Sequence, residues 1–245
     1  MNDKTFYLGL ETGGAGFSLA LSGGERENAG EIFIRSPQRQ LVHLFPALKN
    51  LLAESEIEFA QIRGLGVAVG PGGYTGLRLG LITAKTLAQV LNVPIVGMNS
   101  LDLLAYNFLP GEGLAAPLFD ARKGEVFGAL YRVKGGKIER ESDYWNLPPL
   151  EAARKLAEAE EPVALLGSGA RLYAELFRRE LPERALLLPP RFDNPRALHL
   201  AAWAQTEIEA GRGLSYQEIG PFYLRPPDAL APKITDPGLK SRTAP

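Results

Sequence analysis

The chain passes twice through one order of elements: strand, strand, strand, helix, strand, helix, strand. That repetition limits its fold more than any other feature. In the first pass Phe6 to Leu10 reads as a short strand ending at Glu11. Gly13, Gly14 and Gly16 punctuate a turn, and Phe17 to Leu21 alternates as the return strand of a hairpin. Glu31 to Arg35 is the third strand. Helical spacing over Gln38 to Ala53 is carried by Leu41, Leu44, Phe45, Leu48, Leu51 and Leu52, with Pro46 expected to kink it or to open a fresh first turn. A strand over 64–69, a helix over 75–91, a strand from Ile95 to Met98 and a short helix from Leu101 to Phe108 complete the pass.

Pro110-Gly111-Glu112-Gly113 is the expected boundary, giving units over 1–109 and 110–225. The second pass has a strand ending at Asp120, a second strand from Glu125 to Val133, a turn at 134–137 and a third strand from Ile138 to Trp145. A helix over Leu150 to Ala159, a strand from Val163 to Leu166, a helix over Ala170 to Glu180 and a strand from Ala185 to Leu188 follow. An amphipathic helix runs from Pro195 to Ala210, with Pro195 suited to its first turn, and it is free to pack back on the first unit. The tail from Pro226 carries five prolines and reads as an extended arm or as disordered. Hairpin-led units with right-handed strand–helix–strand crossovers indicate an α/β protein with two RNase H-like domains.

Composition narrows the chemistry. A net charge of −1 over 245 residues gives no basic field of the kind that grips tRNA or DNA unaided. With no cysteine there is no disulfide, thiolate zinc site or cysteine nucleophile, and two histidines, His43 and His199, cannot build a multi-histidine metal site. The start of the chain lacks a basic-then-apolar leader, and no apolar run reaches membrane-spanning length, so a cytoplasmic protein is expected.

Three glycine-rich turns could carry phosphate chemistry. Gly70-Pro71-Gly72-Gly73-Tyr74-Thr75-Gly76 joins an apolar strand to a helix. Such a loop can cradle an anion at the helix N-terminus, or let two segments approach closely. It lacks the Gly-Lys-Ser/Thr of a Walker A loop, and no acidic residue ends the next strand at Asn99-Ser100. Glu11-Thr12-Gly13-Gly14 occupies the place where actin-type ATPases and sugar kinases put an acid and a phosphate-contacting turn, but glycines stand where hydroxyl residues would be wanted, and turn chemistry favours a simple hairpin turn. Gly167-Ser168-Gly169 could host an anion or be a plain strand–helix turn. Asp120-Ala121-Arg122 fits an ion pair at a strand end.

The helix after the first loop is unusual. Gly76, Gly80, Ala84 and Ala88 recur every fourth residue, and only Arg78, Lys85 and Gln89 are strongly polar, so the helix lacks a solvated back. Burial under a neighbour of the same chain accounts for this. So does a subunit interface, which would include Tyr74, Thr75, Gly76, Leu79, Gly80, Thr83 and Ala84 with Leu41, Phe45 and Leu48 of the preceding helix.

The glycine loop with Leu77-Arg78-Leu79-Gly80 and Ala84-Lys85, then Pro94 to Gly97 with Ser100-Leu101, Asp120-Ala121-Arg122 with Glu125-Val126, Gly167 to Ala170, and Pro221-Phe222-Tyr223-Leu224-Arg225 form an ordered set across most of the chain. This set resembles the TsaB (YeaZ) family, which acts in the synthesis of threonylcarbamoyladenosine (t6A) in tRNA. Glu11-Thr12-Gly13-Gly14 departs from the family's usual Asp-Thr-Ser-Thr. The resemblance implies an actin-like (ASKHA) fold and a non-catalytic subunit that binds and activates the larger paralogue TsaD. It also implies partnership with the ATPase TsaE, a homodimer when alone, and contact with tRNA only through the complex. No cofactor is required by this chain, and ATP or ADP is allowed in the assembled complex. Two other classes compete with this one. A stand-alone actin-like ATPase or small-molecule kinase would rely on Glu11 and Asp120. A glycoprotease-like peptidase lacks any apparatus in this sequence.

Overall fold

The computed structural model describes residues 5–24, 26–35 and 40–225. The side chains of 26–28 and of Leu41 lie outside the described residues, as do Gln38, where the first helix was expected to begin, and the tail at 226–245. The first half contains β1 (Phe6–Glu11), β2 (Phe17–Gly23), β3 (Arg26–Ile34), α1 (Gln40–Glu54), β4 (Ile62–Gly70), α2 (Tyr74–Leu91), β5 (Ile95–Asn99) and α3 (Ser100–Ala105). Its sheet has the order β3-β2-β1-β4-β5. The β1–β2 and β2–β3 pairs are antiparallel, and β1–β4 and β4–β5 are parallel.

The second half begins with β6 (Gly113–Arg122), β7 (Glu125–Gly128), β8 (Tyr131–Lys134), β9 (Lys137–Arg140), β10 (Trp145–Leu147) and α4 (Pro149–Ala157). It continues with β11 (Val163–Leu166), α5 (Ser168–Leu172), α6 (Ala174–Glu180), β12 (Ala185–Leu187) and α7 (Ala197–Glu209). Its main path, β10-β7-β6-β11-β12, repeats the first sheet with the same sense of each pair. Two RNase H-like sheets joined in one chain make the actin-like α/β fold.

Several expected elements take a different form. The strand expected over 125–133 is two strands. β7 pairs the C-terminal part of β6, whereas β8 pairs its N-terminal part and forms a hairpin with β9. Strand periodicity marks extended chain but not which neighbour it joins. The expected 170–180 helix is likewise two short helices that meet at Tyr173. Pro46 lies inside an unbroken α1. Pro195 precedes α7, whose N-cap is Arg196.

Strand alternation sorts the first sheet by residue size. Leu8, Leu10, Phe17, Leu19, Leu21, Ile62 and Val67 form one core with Leu44, Leu48 and Leu51 of α1 and Leu81, Ala84 and Ala88 of α2. The opposite face presents Gly9, Ala20, Gly64 and Gly66, and α7 lies on it, joining the C-terminal part of the chain to the first half. A Cβ on Gly9 would come within 2.5 Å of the Ala197 carbonyl, and one on Gly66 within 2.9 Å of the Leu200 carbonyl. Small residues on the sheet and Ala197, Ala201 and Ala204 on the helix therefore bring the two backbones into contact. Ser18 accepts the Ala197 N–H at 3.0 Å, and Arg196 pairs with the largely buried Glu31, so the start of α7 is pinned to β2 and β3.

Candidate partner-binding face and interdomain cleft

The glycine loop and the opening turn are packed on each other. The Gly73 N–H donates to the Gly13 carbonyl at 2.8 Å, and the Thr12 hydroxyl donates to the Gly76 carbonyl at 2.7 Å. A Cβ on Gly76 would stand 2.1 Å from the Thr12 carbonyl oxygen, and one on Gly80 2.1 Å from the Thr12 hydroxyl. The small-residue stripe thus lets α2 rest on the β1–β2 turn of its own chain. Ala84 and Ala88 continue that stripe into the core. Of the two readings open in the sequence, burial within the same chain holds for Gly80 and Ala84. They are corrected as interface residues, as is Leu48, which lies on the inner side of α1 in the core.

What faces outward is a different set. On α1, Val42 is 65% exposed and Phe45 51%; on α2, Tyr74 is 44%, Ile82 64% and Val90 75%. Thr75 and Thr86 are exposed beside them, Gly76, Leu79 and Thr83 are half-buried, and the side chain of Leu41 is outside the described residues. Ile82, Thr86 and Val90 fall at i, i+4 and i+8, one stripe of a helix. Isolated exposed hydrophobes are ordinary, and several on two helices of one sheet face make this a candidate interaction surface. Val42, Ile82 and Val90 were missed in the sequence. The signal was there in the missing polar back of α2, but which side faces the sheet is decided by the contact with Thr12.

A cleft of about 760 Å³ opens between the halves, at the N-terminal ends of α1 and α2. Its walls bring together Thr12, Gly13, Gly14, the glycine loop, Asp120, Ser168, Asp193 and residues 222–225. Several loop amides there have partners within the chain. Glu11 is fully buried at the end of β1 and its carboxylate accepts the Gly13 N–H at 2.7 Å. Burial pushes its pKa up to about 7, against the pull of the Gly13 and Gly14 amides. The Gly167 N–H donates to Asp193 at 3.0 Å, and Arg171 holds the same carboxylate. Gly169 serves packing, since its Cβ would lie 2.9 Å from the Phe119 carbonyl carbon. Asp120 pairs with Arg122 at 3.2 Å, and its N–H donates to Ser168. In two of the three glycine-rich turns an amide that could meet a phosphate already serves a carboxylate, Gly13 at Glu11 and Gly167 at Asp193.

His43 lies half-buried on α1. His199 stacks on Tyr106, and burial lowers its pKa. Among the described residues no group of three His, Cys, Asp or Glu side chains could hold a metal ion, and no helix is long and apolar enough to cross a membrane.

Residues 37–145 match the family model described as TsaD, tRNA N6-adenosine threonylcarbamoyltransferase. The chain is 34% identical over 190 residues to the tRNA threonylcarbamoyladenosine biosynthesis protein TsaB of Bacillus subtilis, covering 78% of this chain and 81% of that one. It is 26% identical to Escherichia coli TsaB over 225 residues, 89% of this chain and 94% of that one. The solved structure of YeaZ from Pseudomonas aeruginosa superposes with a TM-score of 0.77 at 25% identity, covering 90% of this chain and all of the other. With two matching sheets and these relatives across most of its length, the chain belongs to the TsaB family.

Proposed function

We propose that this chain is the subunit of the t6A-forming assembly that binds and activates TsaD through the outer face of α1 and α2. The observation that carries the reading is the exposed apolar stripe of Val42, Phe45, Ile82 and Val90. The TsaD family model matches a stretch of this chain that begins just ahead of α1 and includes α2, so a TsaD partner would bring the equivalent helix pair. Two such pairs pack as a four-helix contact that buries both stripes. In the absence of TsaD a second copy of this chain offers the same surface, which gives a homodimer.

The chain's part is then conformational: it holds TsaD in an arrangement competent for transfer to tRNA and helps form the surface on which TsaE docks. Contact with tRNA falls to the partners, in keeping with a net charge of −1. The chain itself does no chemistry in this account and needs no cofactor, while ATP or ADP belongs to the assembled complex. The kinase or ATPase reading has less support, because Glu11 is spent on the Gly13 amide and Asp120 on the backbone and side chain of Arg122. Co-elution of purified chain and TsaD, with t6A formation on tRNA as the activity readout, tests the proposal. Ile82→Glu should abolish both while leaving the circular dichroism spectrum unchanged. Retained co-elution and activity would refute it.

A further inference from the structure

The last described stretch, 214–225, belongs to both halves. Its early part is fixed to the first. Leu214 exchanges two backbone hydrogen bonds with Ile95, at 3.0 and 2.9 Å, and Lys85 donates to the Ile219 carbonyl at 3.0 Å. Ile219 is buried against Gly97, and the Phe222 N–H donates to the Val69 carbonyl at 2.8 Å. Gly70 passes so close beneath that a Cβ would stand 2.5 Å from the Phe222 carbonyl, and its φ of +112° also calls for glycine.

From Phe222 onward the stretch reaches across the cleft. The Phe222 ring meets Tyr144 edge-on at 5.5 Å, Leu224 joins the cluster of Phe119 and Phe127 with Leu101 and Leu104 of the first half, and Arg225 pairs with Glu125 at 3.0 Å. Among the described residues these contacts with the second half are all made by side chains, whereas the backbone hydrogen bonds that leave the stretch go to the first half. The Arg225–Glu125 pair is about one-third exposed on each side, a kind of contact that is easily exchanged. Tyr223 between them stacks on Tyr74 at 5.7 Å, and its hydroxyl accepts from Arg78 at 3.2 Å.

We propose that residues 222–225 are a releasable clasp across the mouth of the cleft, between halves that are also joined where Asp102 of α3 accepts hydrogen bonds from Tyr131 and Tyr144. The anchor at 214–222 stays with the first half, and the side chains of Leu224 and Arg225 let go of the second. Release widens the cleft, and Tyr223 ties the movement to the first turn of α2. This inference stands apart from the reading of the α1–α2 face, because it concerns the isolated chain.

The lack of cysteine makes the test direct. Spin labels on Lys49→Cys in α1 and Arg154→Cys in α4 report the distance between halves by double electron–electron resonance. Lys49→Cys with Arg63→Cys reports the first half alone. The parent chain should give one narrow interdomain distribution. Leu224→Ala with Arg225→Ala should raise a longer-distance population about tenfold, given one partly exposed ion pair and one partly buried leucine, with the first-half distance unchanged. If that variant disturbs the first half as well, Glu125→Gln decides the matter, since it removes one charge and keeps the shape. An interdomain distribution identical to the parent's in the variant that keeps the first half intact overturns the clasp.

Discussion

Glu11 is a buried acid whose ionisation the fold resists, and replacing it with glutamine gives a prediction with a sign and a size. The side chain is sealed at the end of β1, and its pKa rises from 4.5 to about 7 because burial outweighs the two loop amides. Each tenfold change in proton affinity is worth about 1.4 kcal/mol, so the rise amounts to about 3 kcal/mol. The folded chain holds a proton that the unfolded chain has released between pH 4.5 and about 7. Stability is therefore favoured below the lower value and falls as pH rises through the upper one. Glu11→Gln keeps an oxygen to accept the Gly13 N–H and cannot ionise. Urea unfolding of parent and variant at intervals from pH 4.5 to 8 should show the variant gaining on the parent by about 3 kcal/mol across that range, with most of the gain in place by pH 7.5. Comparing the two chains cancels the other titrating groups. A difference constant within about 0.5 kcal/mol over the whole range would refute a buried, strained carboxylate at this site.

Two further variants test the packing. Gly80→Val should destabilise the first half by about 2 kcal/mol or more, because its Cβ would lie 2.1 Å from the Thr12 hydroxyl, and thermal melting should show the loss. Gly66→Val should cost a similar amount and raise amide exchange along α7, since the helix backbone lies 2.9 Å from the position of the added Cβ.

The repeated order of elements and the three glycine-rich turns could be read from local pattern, because hydrophobic period and turn residues are local properties. Three features could not. The split of β7 from β8 depends on which part of β6 each joins. The facing of α2 is settled by Thr12, 64 residues from the Gly76 carbonyl that its hydroxyl reaches. A stripe of small residues looks the same whether it awaits a partner or a loop of its own chain. The docking of α7 left a legible trace in Gly9, Gly64 and Gly66, an alternation of glycines on one strand face, though the helix that fills it lies more than a hundred residues away. In the candidate site the acids Glu11 and Asp120 were visible. That Asp193 holds the Gly167 turn was not, because nothing in the sequence near either residue points to the other.

The central claim is that the exposed stripe on α1 and α2 is where TsaD binds. The dissociation constant of the purified chain for TsaD, measured by calorimetry for parent, Ile82→Glu and Leu172→Glu, tests it most directly. Ile82 is 64% exposed in the stripe, and Leu172 is 58% exposed on α5 of the other half, so the two variants place the same charge on comparable surface. The account predicts at least a thirtyfold loss for Ile82→Glu, the effect of a central interface residue, with Leu172→Glu equal to the parent. Parent-like affinity for Ile82→Glu, or equal losses for both variants, would contradict it.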